Sequence, residues 1–144
     1  MTNVPTQQQA PSTVIIVIFS AFLASVAFIG ANVIPMSLDL PKRNDLFEVF
    51  VGITSILFGI GFTIFVLRKI YTEVGFGKLF ITGWMTALVM SLICSAFYII
   101  AFQKNWLPLQ EGERMMNIIP VVILKYNALG MMFSALLAII FKKQ

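Results

Sequence analysis

The chain contains no histidine and a single cysteine, Cys94. The most versatile acid/base side chain and metal ligand is therefore missing, and neither an intrachain disulfide nor a Cys-x-x-Cys motif can form. The acidic residues fall between the apolar runs or at their ends, without the spacing of a metal site or of a paired general acid and base. A phosphate-binding or dinucleotide loop is also missing, because Gly59, Gly61, Gly75 and Gly77 lie in or beside apolar runs and lack the strand context such loops require. Charge is scarce as well. Charged residues make up 11% of the chain and leave a net +4, with no basic patch interleaved with aromatics, so no nucleic-acid partner is expected. These absences lead to the expectation of no enzymatic activity, no cofactor and no metal.

What the chain does have is hydrocarbon. Hydrophobic residues make up 59% and the mean hydropathy is +0.94, well outside the range of soluble domains of this length. About 20 apolar residues cross a bilayer core of about 30 Å as a helix, and four runs qualify: Val14–Met36, Leu46–Leu67, Leu79–Phe102 and Met116–Phe141. The fold class expected is all-α, a polytopic membrane protein with four antiparallel transmembrane helices in one bundle. Loops of about 9 to 14 residues leave no room for a soluble catalytic domain and make successive spans neighbours. Residues 1–13 form a polar, Gln- and Pro-containing tail with too little apolar surface to offset its ordering entropy, and residues 14–144 form the transmembrane domain. The small residues of "ASVAF" raise the alternative of a cleaved secretory signal. The run is too long for one and lacks a basic leader, so the first span is expected to be retained.

Orientation follows from the lysines and arginines of the short loops. Arg68, Lys69, Lys78, Lys142 and Lys143 lie in the second loop and the C-terminal tail, whereas Lys42, Arg43, Lys104 and Arg114 are diluted by Asp39, Asp45, Glu48, Glu111 and Glu113. Both termini are therefore expected on the cytoplasmic side of the cytoplasmic (inner) membrane, with the excess positive charge held against anionic lipid.

Lipid supplies no hydrophobic drive for helices to associate, so small residues at four-residue spacing mark the faces where backbones approach. Such ridges recur in all four spans: Ser20, Ala24, Ala27 and Ala31; Gly52, Ser55 and Gly59; Gly83, Ala87, Ser91 and Ser95; and Gly130, Ser134 and Ala138. At about 100° per residue, Glu48, Tyr98 and Asn127 fall on these inward faces and toward the membrane surface of the first and third loops. They form one candidate polar mouth. Its plainer alternative is a capping-box-like helix start at Asp45 and Glu48, with Asn127 hydrogen-bonded to a neighbouring helix. Lys125 falls opposite the Gly130 ridge, on a stripe with Val121, Met132, Leu136 and Ile139. There it either snorkels to the lipid headgroups or meets an acidic group of a partner chain or an anionic lipid.

The run "SILFGIGFTIFVLRKIYTEVGFGKLFITGWMTALVMSLICSAFYIIAF" and the ending "LKYNALGMMFSALLAIIFKK" resemble an uncharacterised family of small four-span membrane proteins best represented in Bacteroidota. The resemblance rests on "FGKLF" opening the third span and on the Gly130-to-Lys143 pattern, and it covers about half of the chain. It departs from that family in a shorter third loop and in Lys125, where the family often has an acidic residue. The resemblance implies a cytoplasmic-membrane location and no particular chemistry. The clustered Arg, Asn and Glu that four-span glutathione-dependent enzymes need are not found in the chain. Two functional classes then stand: an accessory or assembly subunit of a larger membrane complex, acting through helix faces, or a small oligomeric transporter or channel. The partners expected are membrane lipid and either other membrane subunits or further copies of the chain.

Overall fold

The structure is a computed structural model, which describes residues 12–37, 45–71, 73–104 and 115–142. The chain is a four-helix bundle: α1 (Thr13–Ser37), α2 (Asp45–Ile70), α3 (Phe76–Gln103) and α4 (Met115–Phe141). Each helix is long and apolar enough to span a membrane. The protein is thus an integral membrane protein by the length and composition of its helices.

Local chemistry sets the helix ends. Ser12 caps α1, its hydroxyl accepting the Val14 N–H at 3.2 Å and its carbonyl the Ile15 N–H at 2.9 Å, which satisfies donors that a helix start leaves orphaned. α2 continues beyond Leu67 to Ile70, and α3 begins at Phe76 rather than Leu79, so the second loop is tighter than the apolar runs suggest. The physical reason is that a helix need not stop where hydrocarbon stops: Arg68 and Lys69 are good helix formers and complement the C-terminal dipole of α2. Gly75 then sits extended (φ −69°, ψ 159°) at the N-cap of α3. The ammonium of Lys78 lies 3.6 Å from the centroid of the Tyr71 ring across this turn. Pro120 lies inside α4 and forfeits one helical hydrogen bond there.

All three sequential pairs of helices touch, as do α1 with α3 and α2 with α4, whereas α1 and α4 share no backbone contact among the described residues. α2 and α3 therefore form the central pair, and α1 and α4 occupy opposite sides of it. The core runs through Phe28, Ile56, Ile60, Ile64, Leu67, Leu79 and Met90, all essentially inaccessible.

The buried face of α1 differs from the small-residue ridge expected for it. Ser20 and Ala24 are buried, but Ala27 is exposed and Ala31 only partly covered. The face continues instead through Phe28 and Asn32. Smallness did not decide it: a phenyl ring at position 28 fills the space between the outer helices better than an alanine at 27.

Candidate functional site: a seam of small, hydroxylic and aromatic residues

The helix-packing residues Gly52, Ser55, Gly59, Gly83, Ala87, Ser91, Ser95, Gly130, Ser134 and Ala138 are all placed in the interior. Between α3 and α4 they interlock as an antiparallel ladder. A Cβ on Gly83 would stand 2.8 Å from the Ser134 hydroxyl, a Cβ on Gly130 would collide with the Cβ of Ala87, and Ser91 meets Asn127 one step further along. On the other side of the bundle, a Cβ on Gly59 would stand 2.9 Å from the Ala24 Cβ and 3.5 Å from Thr86 Cγ2. Three helices converge on that glycine, and close approach of this kind recovers by dispersion what lipid does not supply by hydrophobic drive.

Hydroxyls line the same seam and mostly donate within their own helices. Ser20 donates to the Ile16 carbonyl, Ser25 to that of Ala21 and Ser95 to that of Ser91, at 2.7 to 2.8 Å. One pair crosses between the two central helices: Thr63 Oγ1 of α2 lies 2.9 Å from Thr86 Oγ1 of α3. Each also lies 2.9 Å from a carbonyl of its own helix, Gly59 and Thr82 respectively. Because a hydroxyl has one proton, one threonine bonds across while the other bonds back. Cys94 of α3 is buried as well.

The candidate mouth residues have different fates. Asn127 donates to the Ile123 carbonyl at 2.9 Å and, at 3.4 Å, to the Ser91 hydroxyl of α3, while its Oδ1 is buried without a hydrogen-bond partner among the described residues. Tyr98 packs edge-on against Phe28 of α1, with ring centroids 6.3 Å apart, and stacks on Phe102. Glu48 belongs to α2, but its side chain lies outside the described residues, as do the first- and third-loop charges Asp39, Lys42, Arg43, Glu111, Glu113 and Arg114.

Two further buried residues, Tyr126 and Asn32, are not among the candidates the sequence offered. Tyr126 is 5% exposed and crosses from α4 over Gly52 of α2 to meet Phe28 edge-on, with centroids 5.7 Å apart. Asn32 is buried on α1 and donates to the Phe28 carbonyl at 2.6 Å. The signal for Tyr126 was present, since it lies one four-residue step before Gly130 on the same ridge. In the sequence it is flanked by the more conspicuous polar residues Lys125 and Asn127. Phe28 thus packs edge-on against both Tyr98 and Tyr126 in the interior.

Lys125 is exposed, on a stripe with Val121, Met132, Leu136 and Ile139, each at least half exposed. α4 is also the least covered span, with 22% of its apolar window buried against 39% in each of the others. The lysine therefore stands on the broadest outward surface of the bundle. No group of three or more metal-ligating side chains occurs among the described residues.

In comparisons with protein-family models, curated proteins and solved structures, nothing matches this chain.

Proposed function

We propose that this protein is a non-catalytic accessory or assembly subunit of a larger complex in the cytoplasmic membrane, and that it engages its partner through the outward face of α4. The observation that carries this reading is Lys125, a cation on the outward apolar stripe of the least covered helix. A carboxylate on a neighbouring subunit gives that ammonium a specific role, and ionisable groups at membrane depth are characteristically functional. The interior supports the same reading, because its hydroxyls are largely engaged within their own helices and its glycines are filled by neighbouring side chains. What remains to act with is a helix surface. The competing reading, an oligomeric transporter with a mouth at Glu48, Tyr98 and Asn127, has to accommodate the Phe28 and Tyr126 rings packed at that level.

The test is affinity purification of the tagged full chain in mild detergent, with bound proteins quantified by mass spectrometry. A stoichiometric unrelated membrane protein is expected. Lys125→Arg should retain it, Lys125→Gln should release much of it because the partner's acid is left unpaired, and Lys125→Glu should abolish co-purification unless the partner acid is changed to a base. Wild-type recovery of the partner with Lys125→Glu would reduce Lys125 to a snorkelling residue. Recovery of a homo-oligomer alone would favour the transporter.

A further inference from the structure

Away from the seam and from Lys125, a recess of about 270 Å³ opens at the second-loop end of the bundle, lined by Gly61, Phe65, Arg68 and Lys69 of α2 and Phe141 of α4. The α2 residues follow i, i+4, i+7 and i+8, so they form one stripe that climbs about 12 Å from Gly61 to Lys69. Its lower part is apolar. A Cβ on Gly61 would meet nothing within 4 Å among the described residues, so the glycine makes a notch flanked by the outward-facing Phe65. Its upper part is cationic. The Arg68 guanidinium sits 5.8 Å from the Phe141 ring centroid and the Lys69 ammonium 5.3 Å from that of Phe65.

These contacts hold both cations by their charge against ring faces, which leaves the N–H donors available. Lys142 follows directly on Phe141 and is exposed. Both basic residues of α2 lie in its last turn, where they also offset the helix dipole. That role alone requires neither a notch two turns below nor a second helix closing its side. The recess is at the small end of ligand clefts, enough for a phosphoester head and the first part of one chain.

From this vertical pairing of two ring-held cations above an apolar notch, we propose that the α2–α4 recess binds one anionic phospholipid, its phosphodiester held by Arg68 and Lys69 and one acyl chain lying over Gly61 between Phe65 and Phe141. A soluble anion would use the cations and ignore the notch. A zwitterionic lipid would use the notch but bring its own ammonium toward Arg68 and Lys69. An anionic lipid uses both.

The experiment measures lipid retention by native mass spectrometry and the thermal midpoint of the full-length protein in dodecyl maltoside. The additions are phosphatidylglycerol, phosphatidylcholine or inorganic phosphate. Phosphatidylglycerol should be retained as one tightly held copy and should raise the midpoint, with phosphatidylcholine and phosphate having little effect. Arg68→Gln combined with Lys69→Gln should weaken retention about tenfold or more. Gly61→Leu, which fills open space, should weaken it comparably while leaving the helical circular dichroism intact. Lys104→Gln, at the opposite end of α3, should leave it unchanged. Equal retention of the two lipids, equal stabilisation by inorganic phosphate, or undiminished binding in either recess variant would overturn the proposal.

Discussion

The phenol of Tyr126 on α4 lies across Gly52 of α2, with its hydroxyl 3.1 Å and its Cε1 3.2 Å from where a Cβ on that glycine would stand. The glycine is the opening through which one outer helix reaches the other, since the same ring ends edge-on against Phe28 of α1. Gly52→Ala should cost little, because the end of a side chain can shift by a few tenths of an ångström. Gly52→Leu should destabilise by about 1–3 kcal/mol through overpacking. Combining it with Tyr126→Ala should cost less than the sum of the two single changes, measured as a thermal double-mutant cycle in detergent. Strict additivity would mean that the two side chains do not compete for one space.

The α3–α4 ladder makes a similar prediction with the opposite control. Ala87→Leu should destabilise by about 1–3 kcal/mol, and Gly130→Ala should also destabilise, with Ala87→Gly restoring part of the loss by vacating the same space. Leu136→Ala, on the half-exposed outer face of α4, should move the thermal midpoint much less. The reverse ranking would place the lipid face and the packing face the wrong way round.

For the Thr63–Thr86 bond a small coupling is expected, although it is buried and joins the central helices. When either threonine is changed to valine, the other keeps a carbonyl of its own helix within reach, so no donor is orphaned. A cycle of Thr63→Val and Thr86→Val should give a coupling of about 0.6 kcal/mol, as for other interhelical hydrogen bonds in membranes. A coupling above about 2 kcal/mol would show that the backbone alternatives are not available to these hydroxyls.

Both termini are expected on the cytoplasmic side, from the even number of spans and the bases at the second-loop end, Arg68, Lys69, Lys78 and Lys142, set against Glu73 in the same loop. In a Cys94→Ala background, Thr6→Cys and Gln144→Cys should both resist an impermeant thiol reagent added to intact cells and react after permeabilisation. Labelling of either position from outside would invert the topology.

The spans were legible because bilayer thickness imposes a length that hydropathy reports directly. The faces of α2, α3 and α4 were legible because glycine and serine recur there at helical spacing. α1 was not, since its buried face is set by what fits between its neighbours, and Phe28 fits where Ala27 does not. Tyr126 was obscured for a related reason: a large aromatic on a ridge of small residues is interpretable only once the glycine opposite it, on another helix, is known. The recess at Gly61 could not be read from the sequence either, because Phe141 joins α2 residues there only after the chain has folded back on itself.

α1 touches α2 and α3 but shares no backbone contact with α4 among the described residues. Nearly all of the helix-to-helix surface of α1 can therefore be complete before the fourth span leaves the ribosome. At that stage the side of α3 carrying Gly83, Ala87 and Ser91 is still uncovered, a close-fitting slot made for one late-arriving helix. The last of the four spans to be synthesised is thus also the one that seals the bundle, and until it does, that slot stays open to other membrane helices.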